Sequence, residues 1–164
     1  MNHKEYKMKV KLSKALKIKN NLINQYNQAT DIFSRENSRL VKSTSTIDRE
    51  KIYQKIEKLL NLIIEVKTRI AEANIGIYKQ IASIAEVKSI ISYLRSLNTT
   101  DGIITKTTYQ STYEEEYTAY LKVADIDAKI LELTKKIELL QDEVDEYNAT
   151  HEIILPDDEL IYNK

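Results

Sequence analysis

"IYQKIEKLLNLIIEVKTRIAEANIGIYKQIASIAEVKSIISYL", Ile52 to Leu94, decides the fold. Its apolar positions step by four and three: Ile52, Ile56, Leu59, Ile63, Val66, Ile70, Ala73, Ile77, Gln80, Ile84, Val87, Ile91, Leu94. Only Gln80 breaks the series. Such spacing lays one narrow apolar seam along a helix. Unbroken over 47–98, that helix would be about 78 Å long at about 1.5 Å per residue. Asn74-Ile75-Gly76 is the natural kink or turn, since Gly costs about 1 kcal/mol in a helix interior. Ser45-Thr46-Ile47-Asp48 reads as a capping box at the start, and Asn98 to Gly102 as the stop.

Outward from this core, Met8, Leu12, Ala15, Lys19, Leu22, Tyr26, Ala29 and Phe33 keep the same step and predict a first helix over 8–33. Ile126, Ile130, Leu133, Ile137, Leu140, Val144 and Tyr147 predict a last helix over 125–148. Between them, "IITKTTYQ" is rich in β-branched residues, and 103–123 reads as an extended arm or hairpin. The competing reading caps a helix at Ser111-Thr112-Tyr113-Glu114 and stacks Tyr109, Tyr113 and Tyr117 on one stripe. The tail, 149–164, reads as irregular and strapped down by Ile153, Ile154 and Leu155.

Two Gly and one Pro among 164 residues leave few turn-formers, which disfavours sandwiches, barrels and wound sheets. The expected fold is all-α: a single domain over 1–164, built as a long-helix antiparallel bundle or coiled coil. Narrow seams on long helices do not bury themselves alone, so further copies of the chain are the expected partners.

Charge refines this. Seven Lys (4, 7, 9, 11, 14, 17, 19) face one acid before Leu22, and ten acids face Lys135 and Lys136 between Glu132 and Glu159. A basic and an acidic helix would attract if packed side by side, within the chain or between protomers. The formal net charge is zero, which argues against bulk nucleic-acid or membrane-surface binding. No apolar run approaches the roughly 20 residues of a membrane span, and the Lys-rich start lacks the apolar core of a secretion signal. A cytoplasmic location follows as the default. With no Cys, disulfide and thiolate chemistry are excluded.

Catalytic patterns are poor. His3 and His151 fit no metal spacing, and the acidic groups at Glu114–Glu116 and Asp142–Glu146 lack the Glu-x-x-His partners of di-metal bundles. There is no phosphate-binding glycine loop and no nucleophile elbow. No enzyme, cofactor or metal is expected.

The strongest functional lead is the junction "IFSRENSRLVKSTSTIDRE", Ile32 to Glu50. If the first helix continues, Arg35 and Arg39 lie one turn apart with their forks on one face. Asn37, Ser38, Lys42, Ser43, Thr44, Ser45 and Thr46 add donors beside a helix start, where free N–H groups attract anions. An ordinary capping loop with surface ion pairs is the plainer reading. Tyrosines supply a second lead: Tyr109 and Tyr113, with Tyr93 and Arg95, offer ring faces for a base or ribose. An oligomer interface is the plainer reading of these rings.

Three stretches, "KLSKALKIKNNL" (11–22), "TRIAEANIGIY" (68–78) and "LLQDEVDEYNATHEI" (139–153), resemble a small family of bacterial and prophage helical proteins, some labelled septicolysin. The likeness is one of layout over about Met8 to Ile153. It implies an all-α oligomer and supplies no catalytic residues. A toxin label would imply membrane insertion, for which these residues hold no support.

Two functions follow as expectations. One is a non-catalytic oligomer that holds a phosphate-bearing small molecule, such as a nucleotide signal, at the junction and sequesters it, as some phage anti-defence proteins do. The other is a structural or adaptor protein that only assembles with itself or a partner helix.

Overall fold

The computed structural model describes residues 7–42 and 45–162. The chain is mostly helical, with short antiparallel strands, and forms two compact units. One takes the chain up to Ile77 and again from Asp145; the other is Tyr78–Val144.

The first unit opens with strand β1 (Lys7–Lys11), then α1 (Leu12–Glu36) and α2 (Arg49–Asn74). A 3₁₀ turn over Ile75–Ile77 ends it on this side. Residues 8–11, read in sequence as helix, are instead strand. The reason lies at the far end of the chain: β4 (Glu152–Pro156) pairs antiparallel with β1, setting Met8 opposite Leu155 and Val10 opposite Ile153. The α1 start has no side-chain cap, and the Leu12 N–H donates instead to the His151 carbonyl at 2.8 Å.

The tail is therefore ordered by pairing rather than irregular. Period-two alternation buries Ile153 and Leu155 while Ile154 faces solvent. A final turn, α5 (Glu159–Tyr162), adds Leu160 and Ile161 to the core. Lys58 on α2 ties this tail down, pairing with Asp158 at 3.0 Å.

Leu12, Ala15, Ile18, Leu22 and Ala29 of α1 pack with Leu59, Leu62, Ile63, Val66 and Ile70 of α2. Ile18 takes the place that strict four-three counting assigns to Lys19. A straight helix has 3.6 residues per turn, so its buried stripe drifts off the 3.5-residue seam. Leu12, Leu22 and Leu59 are wholly buried, each contributing about 1.5–3 kcal/mol of transfer free energy. The Phe33 and Tyr53 ring centroids lie 5.4 Å apart at the end of this helix pair where the junction connects α1 to α2. The basic α1 thus packs on the mixed-charge α2 rather than on an acidic helix of its own unit.

The second unit holds α3 (Tyr78–Ser96), a hairpin of β2 (Gly102–Thr107) and β3 (Thr112–Tyr117), and the run of α4 (Val123–Thr150) up to Val144. The extended reading of 103–123 holds in its hairpin form. Ile103 faces Glu116 and Lys106 faces Tyr113 across the strands. Gly102 sits at φ +90, a backbone region that costs other residues dearly. Asp101 fastens the hairpin's base, accepting from Ala119 N–H at 3.1 Å and pairing with Lys122 at 2.7 Å.

Ile84, Val87, Ile91 and Leu94 of α3 are buried, as are Ile126 and Val144 of α4. Gln80 donates to Glu143 at 3.0 Å. Gln80, the polar member of the long apolar series, thereby finds its partner.

Candidate functional site

The junction between α1 and α2 departs from the geometry an anion cradle needs. Helix α1 ends at Glu36 with Asn37 as its cap, so Arg35 and Arg39 do not share a helical face. Arg35 Nε donates to its own helix at the Asp31 carbonyl, 3.2 Å away. Arg39 Nη1 lies 3.5 Å from Glu36 Oε2 and 3.3 Å from the Ser45 carbonyl oxygen. Ser45 Oγ donates to the same Glu36 oxygen at 2.9 Å. Glu36 is the hub of this loop, and its carboxylate sits where an incoming anion would have to sit.

The start of α2 is occupied as well. Its cap is Asp48, not Ser45: Asp48 Oδ1 accepts from Lys51 N–H at 3.2 Å. That backbone donor holds the Asp48 carboxyl below its ordinary value. A negative charge of the chain's own thus takes the donors and the dipole that would draw a ligand.

Asn37 accepts from Arg49 Nη1 on its carbonyl at 3.4 Å. Ser38, Lys42 and Thr46 are exposed. Ser43 and Thr44 lie outside the described residues.

Tyr93, Arg95, Tyr109 and Tyr113 belong to the second unit. Tyr109 projects fully into solvent at the hairpin turn, and Tyr113 is exposed on β3. Tyr113, Glu115 and Tyr117 share one face of that strand. There Lys106 Nζ reaches the Tyr117 hydroxyl at 2.7 Å and pairs closely with Glu115. The Tyr117 hydroxyl donates to Glu115 too. These contacts push the Lys106 ammonium up and hold the Glu115 carboxyl down, the lysine–glutamate bond being the larger cause of both. This is a cross-strand lock that holds the hairpin in register.

The more conspicuous surface of the second unit is one that seam counting missed. Helix α3 carries four charges in 19 residues, Lys79, Glu86, Lys88 and Arg95, and apart from Gln80 is apolar, aromatic or small elsewhere. Tyr78, Ile90 and Tyr93 of α3 and Leu131 and Leu139 of α4 stand at half exposure or more. Two shallow hollows open along the pair. One, of about 480 Å³, is walled by Tyr78, Lys79, Glu86, Val87 and Lys136. The other, of about 300 Å³, is walled by Ile90, Tyr93, Leu94, Lys129, Glu132 and Leu133. The shortage of charge on α3 is the signal that sequence carries for this surface.

Among the described residues no cluster of three metal-ligating side chains occurs, and no helix is long and apolar enough to cross a membrane. Comparison with protein-family models, with curated proteins and with solved structures yields no match to this chain.

Proposed function

We propose that this chain is a non-catalytic assembly protein, a structural or adaptor element that docks other helices on its second unit. The observation that carries this reading is the exposure of Ile90 and Tyr93 on α3 and of Leu139 on α4, beside the seam each helix turns to the other. A helix that stays apolar beyond its buried seam calls for further cover. The hairpin strengthens the reading. Its residues are exposed or half-buried throughout, and a two-stranded ribbon alone is marginal in water.

The test compares tagged wild-type protein with Ile90→Asp and Tyr93→Asp, each isolated gently from cells and weighed by native mass spectrometry. Wild type is expected in a complex of defined stoichiometry, with itself or another chain, and the variants as free monomers of unchanged helicity. Wild type that is monomeric and partnerless under these conditions refutes the assembly function.

A phosphate-bearing ligand at the junction is the second reading. Arg35 and Lys42 favour it: both are exposed, and neither forms an ion pair among the described residues. Bound nucleotide would have to displace Glu36, so this reading ranks below assembly.

A further inference from the structure

We infer that the groove along α3 and α4 is covered by the same groove of a second copy of this chain, about a two-fold axis parallel to the helices. The inference rests on the assembly reading and names its partner.

The geometry begins with level. Gln80 bonds Glu143. One heptad on, Val87 and Lys136 line one hollow together, and a heptad further Leu94 and Lys129 line the other. The helices therefore run antiparallel in even register.

Beside the buried seam, each helix carries a second stripe at four-three spacing, displaced by one residue. On α3 it is Lys79, Ser83, Glu86, Ile90 and Tyr93; on α4 it is Lys129, Glu132, Lys136, Leu139 and Glu143. Most of these residues line the two hollows, so both stripes face the same side.

A two-fold axis along the helices lays α3 of one copy over α4 of the other at equal level. Lys79 then meets Glu143 of the second copy, and Glu86 meets its Lys136. Ser83 faces Leu139, and the Tyr93 ring faces the Lys129 ammonium, a cation–π arrangement. Ile90 faces Glu132, so two of the five pairs join opposite charges and none joins like ones, and symmetry makes each pair twice. Lys79, Glu86 and Lys136 form no ion pair among the described residues, so their charges are free for this role.

The other way to close two grooves, a two-fold axis across the helices, stacks Glu86 on Glu86 and Lys136 on Lys136. Like charges at the axis disfavour it. Electrostatics thus selects one of the two symmetric solutions, giving four helices in which every neighbour is antiparallel.

Size agrees. A helix pair about 28 Å long and about 20 Å wide presents on the order of 600 Å² per copy. Two such faces reach about 1,200 Å², the lower bound of specific interfaces.

The chain has no Cys, so single cysteines report contacts cleanly. The experiment uses full-length Glu86→Cys and Lys136→Cys chains, co-expressed or alone, with native mass spectrometry of the wild type and of Lys136→Glu. The wild type is expected at twice the 19.1 kDa chain mass. Once purified and oxidised with copper–phenanthroline and dissolved oxygen, which take up the two thiol protons and electrons, the co-expressed cysteine variants should form a disulfide-linked dimer, whereas Glu86→Cys alone should not. Lys136→Glu should weaken the dimer by roughly tenfold or more. Ready cross-linking of Glu86→Cys to itself overturns the axis. A dimer that neither links nor responds to Lys136→Glu places the interface elsewhere and overturns the proposal. A monomer that still binds another protein through Tyr93 overturns the second copy as partner and leaves the assembly reading standing. A monomer without any partner overturns both.

Discussion

The Tyr147 hydroxyl donates to the carbonyl of Ala73 at 2.8 Å, across the point where α2 breaks. The 3₁₀ turn at Ile75–Ile77 interrupts the helical ladder, and Tyr147 partners one of the carbonyls at the helix end. His151 stacks on the Tyr147 ring at 4.6 Å and limits where that ring can go. Gly76 is required by this approach: a Cβ there would lie 2.7 Å from the Tyr147 oxygen and 3.3 Å from Cζ.

Gly76→Ala should therefore destabilise the fold by about 1–2 kcal/mol, although alanine is the better helix former by about 1 kcal/mol. Tyr147→Phe should cost about 1 kcal/mol for the lost hydrogen bond. In the double variant the costs should be less than additive, because removing the hydroxyl removes the clash. Urea denaturation of the four proteins measures the coupling; full additivity would show that Gly76 has no dealings with Tyr147.

Core and surface leucines on the same helix should respond differently. Leu59 is fully buried, so Leu59→Ala should cost about 2–5 kcal/mol. Its neighbour Leu60 is 44% exposed, and Leu60→Ala should change stability by about 0.5 kcal/mol or less. Equal losses in chemical denaturation would contradict the orientation of α2.

The hairpin base should respond to acid. The Lys122 ammonium, then the Ala119 N–H, holds the Asp101 carboxyl below its ordinary 3.8; Lys106, then Tyr117, holds Glu115 below 4.5. A carboxyl with a depressed folded value contributes stability that is present above its unfolded value and lost as pH falls through the folded one. Amide protection at Ala119 should thus hold at neutral pH and fall as pH drops below these values, while Leu22 in the first unit stays protected. Hydrogen exchange followed by NMR reports both sites. Unchanged protection at Ala119 at pH 2.5 would argue that Asp101 does not fasten the hairpin.

The junction separates the two functional readings. If its role is structural, Glu36→Gln should loosen the loop by releasing Arg39 and Ser45, and no nucleotide should raise the melting temperature of wild type. Arg35→Ala/Arg39→Ala should leave the assembled mass unchanged. Selective stabilisation by one nucleotide, lost in the double variant and enhanced in Glu36→Gln, would restore the anion site. Differential scanning fluorimetry over linear and cyclic nucleotides measures both.

The sequence by itself determined what depends on near neighbours. Four-three spacing located the three long helical stretches, Asn74-Ile75-Gly76 marked the break, and the β-branched run after Gly102 marked the hairpin. Each follows from side chains a few residues apart, and periodicity measures that directly. Tertiary structure decided what depends on distant segments meeting. Met8 is strand because Leu155 lies opposite it, and Ile18 displaces Lys19 because α2 sets the buried direction of α1. Gly76 admits a ring that arrives from Tyr147. At the junction the residue types were legible, but their pairing was not: only the folded loop brings Glu36 between Arg39 and Ser45 and gives the cap of α2 to Asp48. Local propensity leaves such choices nearly degenerate, and long-range contacts remove the degeneracy.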